Sequence, residues 1–102
     1  MVYLYMKTVF DVLRGRDAEL LDATRTALRQ LDPSVIEQVR MHRIVYSKGF
    51  AMRDFAELTL KEGRIVLSTV SFGVESGRKF VIESEGDLEL AIEAARSALE
   101  RI

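Results

Sequence analysis

The sequence predicts an α+β fold with N-terminal helices, a four-stranded antiparallel sheet in meander order and a C-terminal helix. Apolar residues recur at the helical period before residue 32 and after residue 87, whereas β-branched and aromatic residues alternate between them. Glycines stand where tight connections between strands need positive φ angles. Because helical and strand patterns are segregated along the chain, we expect an α+β architecture and not a parallel α/β sheet.

Three helices are predicted before residue 40. The first covers about residues 2–14 and ends at Gly15, although the apolar run at residues 2–6 also fits a strand. The second is capped by Asp17 and continues to about Leu31. The third, over residues 34–39, follows Asp32-Pro33, since aspartate is a good N-cap and proline suits the first helical position.

Four strands follow, and short turns connect them. Their β-branched and aromatic residues alternate with period two, and Gly49, Gly63 and Gly77 supply the turn residues. Short connections of this kind join neighbouring antiparallel strands, which predicts the meander. The predicted strands cover residues 42–46, 55–60, 65–72 and 79–83.

A last helix is predicted after the N-cap at Ser84. Its apolar residues are spaced alternately four and three apart, which gives a narrow seam along one side. Such a seam packs against the helix's own sheet or, in the alternative, against a second copy in a homodimer. The seam consists of Leu88, Ile92, Ala95, Leu99 and Ile102.

The bulk composition fits one domain over residues 1–102. The chain is 48% hydrophobic and 30% charged, as expected of a globular domain with its own core. No apolar run approaches the roughly 20 residues of a membrane-spanning helix, so we expect a cytoplasmic protein without a membrane partner. Asparagine and cysteine are absent and arginine outnumbers lysine, a composition typical of proteins that must survive heat.

Residues that carry chemistry are few, which makes an enzyme the least supported class. The absence of cysteine removes thiolate metal sites and cysteine nucleophiles. His42 stands among cations without an orienting acid, and the glycines match no phosphate-binding motif. The acids at residues 83–87 fit the start of a helix better than a metal site. We expect neither a cofactor nor a metal.

Charge is segregated along the chain although the formal net charge is only -1. Residues 40–53 hold four Lys or Arg and no acid, whereas residues 83–93 hold five acids and no base. A basic segment with interleaved aromatic residues is typical of a surface that binds single-stranded nucleic acid, with cations on the phosphates and rings against the bases. The predicted phosphate contacts are Arg40, Arg43, Lys48, Arg53, Arg78 and Lys79, and the predicted base contacts are Tyr46, Phe50 and Phe55.

Two stretches carry a resemblance to the archaeal ThermoDBP-related single-stranded DNA-binding proteins. They are HRIVYSKGFAMRDFAELTLKEGRIVLSTVSFG and GRKFVIESEGDLELAIEAARSALERI, and the likeness lies in the order of elements and the basic, aromatic, cysteine-free composition. The resemblance implies an oligomer that binds single strands without sequence preference in an apolar cleft flanked by basic residues. It assigns no individual residue.

Single-stranded DNA or RNA is therefore the expected partner, together with a second copy in a dimer or tetramer. The alternative function is a homo-oligomeric protein-interaction module whose basic face meets an acidic partner. Both functions use the same basic segment, and the sequence leaves open which of Phe55, Phe72 and Phe80 belong to the core.

Overall fold

A five-stranded antiparallel sheet carries two α-helices on one face. The computed structural model describes residues 8–49, 53–70 and 77–102. The strand order is β1-β2-β3-β4-β5, so the predicted α+β class, antiparallel sheet and C-terminal helix are confirmed. In chain order the elements are a 3-10 helix, Val9–Val12; α1, Gly15–Arg29; β1, Val35–Val39; β2, Ile44–Lys48; β3, Arg53–Lys61; β4, Arg64–Thr69; β5, Lys79–Ile82; and α2, Glu85–Glu100.

The sheet has a fifth strand because residues 34–39, predicted as a helix, form β1. Asp32 does accept a hydrogen bond from the backbone N–H of Ser34, at 2.8 Å. That bond closes a turn, and the same side-chain chemistry serves turns and helix caps alike. The β-branched residues Val35, Ile36 and Val39 then pair with β2. The prediction of four strands was wrong for this reason.

One α-helix, and not three helices, precedes the sheet in the described residues. The first predicted helix falls partly on residues 1–7, outside the described ranges, and its remainder contains the 3-10 helix. Gly15, the predicted stop, is instead the first residue of α1 and has a φ of 57°. Asp17, the predicted N-cap, lies within the first turn, where its charge suits the helix dipole.

The four predicted strands correspond to β2–β5, with displaced ends. A tight turn joins β3 to β4, and its residues Glu62 and Gly63 both have positive φ, 54° and 78°. Two consecutive positive φ angles match the twist of an antiparallel hairpin. Between β2 and β3 the register shifts at Tyr46 and Ser47, which marks a bulge on β3 with Phe55 as its extra residue.

The two α-helices cover the sheet face that carries Ile44, Leu58 and Leu67. These three residues pair side by side across β2, β3 and β4, and none is more than 1% exposed. Ser84 caps α2 as predicted, because its Oγ accepts a hydrogen bond from the N–H of Asp87 at 3.2 Å. No helix in the described ranges is long and apolar enough to span a bilayer.

The apolar seam of α2 packs on the helix's own sheet. Ala95 and Leu99 belong to the buried core, and the other seam residues are partly buried against it. The seam therefore packs against the core of its own domain, and a contact through it with a second copy stays a prediction. These other residues are Leu88, Ile92 and Ile102.

Candidate functional site

The sheet has a second face, opposite the α-helices, which we call the outer face. Alternate residues of each strand point to it. Glu57 on β3 pairs with Ser68 on β4, which pairs with Lys79 on β5. One step along the strands, Thr59 pairs with Val66. The outer face therefore combines charged, hydroxyl and aliphatic side chains in neighbouring rows.

A groove of about 660 Å³, open to solvent, lies on this face. Strands β3 and β4 form its floor, and Val70, Gly77 and Lys79 form one side. Lys61 and Lys79 are exposed, whereas Val66 is 7% exposed. The lining residues are Glu57, Thr59, Lys61, Val66, Ser68, Thr69, Val70, Gly77 and Lys79.

Gly77 fixes the position of the β5 end of the groove. A Cβ at this residue would lie 2.2 Å from the carbonyl oxygen of Thr69, which is far inside contact distance. The close approach allows the N–H of Thr69 to donate to the carbonyl of Arg78 at 2.8 Å, and the N–H of Arg78 to donate to Thr69 Oγ1 at 2.9 Å. Lys79 follows directly and is held beside β4.

The charges in the groove leave two lysines uncompensated. Within the described part of the chain, neither Lys61 nor Lys79 forms an ion pair. The groove's carboxylate, Glu57, instead meets Arg43, whose NH1 lies 3.4 Å from Glu57 Oε2. Because Arg43 offsets the acid, the described side chains at the groove carry a net positive charge.

The structure divides the predicted phosphate-binding cations between locations. Arg43 and Lys79 lie at the groove, whereas Arg78 turns to the other face of β5, where its guanidinium lies 4.9 Å from the centre of the Phe80 ring. Arg40 lies after β1 and donates to Gln38 Oε1 at 2.9 Å. The remaining two predicted cations belong to the helix side of the sheet.

Lys48 and Arg53 point to the helix side because side chains alternate along a strand. Lys48 Nζ donates to the carbonyl oxygen of Ile102, 3.1 Å away beyond the end of α2. Arg53 is its register partner on β3 and shares its side of the sheet. A basic segment that is continuous in sequence is therefore not one basic surface.

The two described aromatic residues predicted to contact bases are in the core instead. Tyr46 and Phe55 are both 0% exposed, so neither offers a ring to a ligand. Tyr46 pairs with Ala56 on the helix side, and Phe55 lies at the adjacent bulge. Phe80 is half-buried against the same core. The predictions for Phe50 and Phe72 fall outside the described residues.

A polar cluster around Glu37 joins β1 to α1. The carboxylate accepts from Arg25 Nε at 3.1 Å and NH2 at 2.9 Å, from Arg29 NH1 at 3.1 Å, and from the Tyr46 hydroxyl at 2.6 Å. The sequence reasoning missed this cluster because it placed Glu37 in a helix. The β-branched residues at 35, 36 and 39 were the signal for a strand.

The environment of Glu37 changes the pKa of three groups. Burial opposes ionisation of Glu37, but hydrogen bonds from Arg25 and Tyr46 outweigh it and hold the pKa of the carboxyl below its ordinary value. Burial, and then the hydrogen bond to Glu37, raises the pKa of Tyr46. The bond to Glu37 also raises the pKa of Arg25. The cluster therefore holds an ionised carboxylate at neutral pH, which is a structural arrangement.

The outer-face groove remains the best candidate for ligand binding. In residues 8–49, 53–70 and 77–102, no three His, Asp or Glu side chains are grouped to hold a metal ion. Comparison of the chain with models of protein families, with curated proteins and with solved structures found no match. The chemistry of the groove is thus the basis for a functional hypothesis.

Proposed function

We propose that this chain binds single-stranded nucleic acid in the outer-face groove and catalyses no reaction there. The observation that supports the proposal is that Lys61 and Lys79, on either side of the groove floor, form no ion pair with any described residue. Cations placed for phosphates are one of the two parts of a single-strand site; the other, a stacking platform for bases, is not supplied by the buried Tyr46 and Phe55.

The spacing of the two lysines suits an extended chain of phosphates. Lys79 is level with Glu57 in the register, and Lys61 is four residues further along β3. Four residues of strand span about 13 Å and two strand spacings span about 10 Å. The ammonium groups therefore stand at opposite corners of the groove, and a strand that crosses it diagonally meets both.

Phosphate contacts supply most of the affinity in this proposal. Tyr46 and Phe55 are buried and Val66 is only 7% exposed, so the groove floor offers mainly Thr59 and Ser68 to the bases in place of aromatic rings. Aliphatic and hydroxyl contacts give little discrimination between bases, which fits binding without sequence preference. We expect modest affinity with a strong dependence on salt.

Fluorescence anisotropy with labelled oligonucleotides at several salt concentrations tests the proposal. For single strands the log–log slope changes by about 0.7 for each phosphate contact. The double variant Lys61→Gln/Lys79→Gln is therefore expected to lower the slope by about 1.4 and to weaken binding at low salt. A duplex keeps its bases paired and stacked away from the floor, so it should bind more weakly than the single strand, and equal binding of both would contradict base contacts with Thr59 and Ser68.

The matched control is Arg16→Gln/Arg96→Gln, which removes the same charge from exposed positions on the two helices. It should bind like the unchanged protein. Equal weakening by both double variants would show that net charge alone attracts the oligonucleotide, and it would contradict a binding site in the groove. Absence of single-strand binding at low salt would end the proposal.

A further inference from the structure

Strand β1 is an edge of the sheet, and exposed apolar side chains are concentrated there. Its inner side pairs with β2, and no described strand pairs with its outer side. Ile36, Val39 and Met41 are 38%, 42% and 50% exposed, and they are half of the large hydrophobic residues exposed in the described ranges. An exposed apolar edge strand is a ready template for pairing with another strand.

The hydrogen bonds at both ends of β1 show which backbone groups point outward. Arg40 N–H donates to the carbonyl of Arg43, and Gly49 N–H donates to the carbonyl of Ser34, each at 2.8 Å. Residues 34 and 40 therefore face β2, and alternation in an antiparallel pair turns residues 35, 37 and 39 outward. The next outward group along the chain, the carbonyl of Met41, accepts from the N–H of Val9 at 2.9 Å. Among the described residues, no backbone bond from another segment reaches the outward N–H groups of Glu37 and Val39, which leaves residues 35–39 as the part of the edge that is open to pairing.

β1 lacks several of the devices that protect an edge strand, because VIEQV contains no proline, lysine or bulge. An inward-pointing charge is a further such device, but Glu37 is already compensated by Arg25 and Arg29 of its own chain. The opposite edge, β5, differs because it is one residue shorter and begins with a lysine. The two edges are therefore not equivalent for assembly.

We propose that β1 pairs antiparallel with β1 of a second copy, about a two-fold axis at Glu37. In this register the N–H of each Glu37 donates to the carbonyl of the other, and the N–H of each Val39 donates to the carbonyl of Val35 in the second copy. Val35 then lies opposite Val39, and Ile36 lies opposite Gln38. The strand is complementary to itself, so a second copy pairs the outward N–H and carbonyl groups of residues 35–39 without any further partner.

The two Glu37 carboxylates approach the axis, but each is already offset by its own Arg25 and Arg29. A two-fold axis perpendicular to the sheet also brings both outer faces to one side of the dimer. If the outer face binds single strands as proposed above, the dimer presents two grooves to one strand and gains avidity. The pairing itself does not depend on that function.

Sedimentation velocity from about 1 µM to about 1 mM protein tests the pairing, because a short edge contact is expected to dissociate within that range. Val39→Lys should raise the dimer dissociation constant at least about tenfold. The matched control, Val81→Lys on β5, replaces a valine of nearly equal exposure, 43% against 42%, and should dimerise like the unchanged protein. Circular dichroism confirms that each variant is folded, and Ile36→Lys replaces Val39→Lys if that variant unfolds.

Cysteine cross-linking tests the register, since the chain has no cysteine of its own. The double variant Val35→Cys/Val39→Cys should form a covalent dimer on oxidation, because the two positions face each other across the axis. Either single variant should not, because like positions are about 13 Å apart along the strand and a disulfide needs less than about 7 Å between Cα atoms. A protein that stays monomeric throughout, a dimer insensitive to Val39→Lys and Ile36→Lys, or efficient cross-linking by a single variant would overturn the proposal.

Discussion

Replacing Glu37 with glutamine removes the charge at the contact between β1 and α1. The carboxylate accepts hydrogen bonds from Arg25, Arg29 and Tyr46, and its own side chain is 12% exposed. Glutamine keeps the shape and one acceptor oxygen, but its N–H₂ group faces donors. The substitution therefore leaves guanidinium and hydroxyl groups without their ionised acceptor while it changes little volume.

The expected cost follows from the number and exposure of these bonds. A hydrogen bond to a charged group contributes about 1.5–3 kcal/mol, and breaking a buried ion pair costs about 3–5 kcal/mol. Arg25 and Arg29 are 29% and 45% exposed, so solvent screening reduces the cost toward the lower figures. We expect Glu37→Gln to lower the free energy of unfolding by about 2 kcal/mol, which lowers the Tm by about 8–16 °C in a domain of this size.

Urea denaturation followed by circular dichroism measures this loss. Glu57→Gln is the matched control, because Glu57 pairs with Arg43 at 3.4 Å in a more exposed position, and it should cost less than about 1 kcal/mol. A double-mutant cycle with Tyr46→Phe should show coupling, since both changes remove the same 2.6 Å bond. Equal small losses for Glu37→Gln and Glu57→Gln would refute the view that the buried cluster anchors β1.

The remaining predictions concern the same fold. The pKa of Glu37 is lowered in the folded protein, so its ionised carboxylate contributes fully to stability above the ordinary pKa of 4.5. This contribution is lost as the pH falls through the folded-state pKa. Urea titrations from about pH 7 to about pH 3 should therefore show a smaller loss of unfolding free energy in Glu37→Gln than in the unchanged protein. Leu99→Ala should cost about 2–5 kcal/mol, whereas Leu90→Ala, at a 65% exposed site on α2, should cost less than about 0.5 kcal/mol by thermal denaturation. Gly77→Ala should displace the start of β5 from Thr69, visible as loss of amide-exchange protection there, because a Cβ has no room; unchanged protection would contradict that geometry.

The sequence predicted the strands β2–β5 and the last helix well because several local signals agreed there. Alternating β-branched residues, the Glu62-Gly63 turn and the Ser84 cap all favour the same structure. The start of the sheet failed because Asp32-Pro33 is compatible with both a turn and a helix, and pairing with β2 decides between them. Local sequence does not contain that long-range contact.

The candidate site was predicted only in part because the alternation of side chains along a strand sends the residues of the basic segment to opposite faces of the sheet. Arg43 and Lys79 reach the outer face, whereas Lys48 and Arg53 point to the helix side. Lys61 belongs to the alternating row Glu57-Thr59-Lys61 of β3. Its place in the groove, however, depends on Lys79, which lies two strands away on β5. Tyr46 is buried because alternation with Ile44 turns it to the helix side, whereas Phe55 is the extra residue at a bulge that the sequence pattern does not indicate.

Backbone amide chemical-shift mapping with an unlabelled single-stranded oligonucleotide tests the central claim most directly. The account predicts that the largest changes fall on residues 57–61, 66–69 and 78–81, that Arg16→Gln/Arg96→Gln leaves them intact, and that Lys61→Gln/Lys79→Gln removes them. Binding whose shift changes are confined to the helices or to the β1 edge would contradict a nucleic-acid site on the outer face.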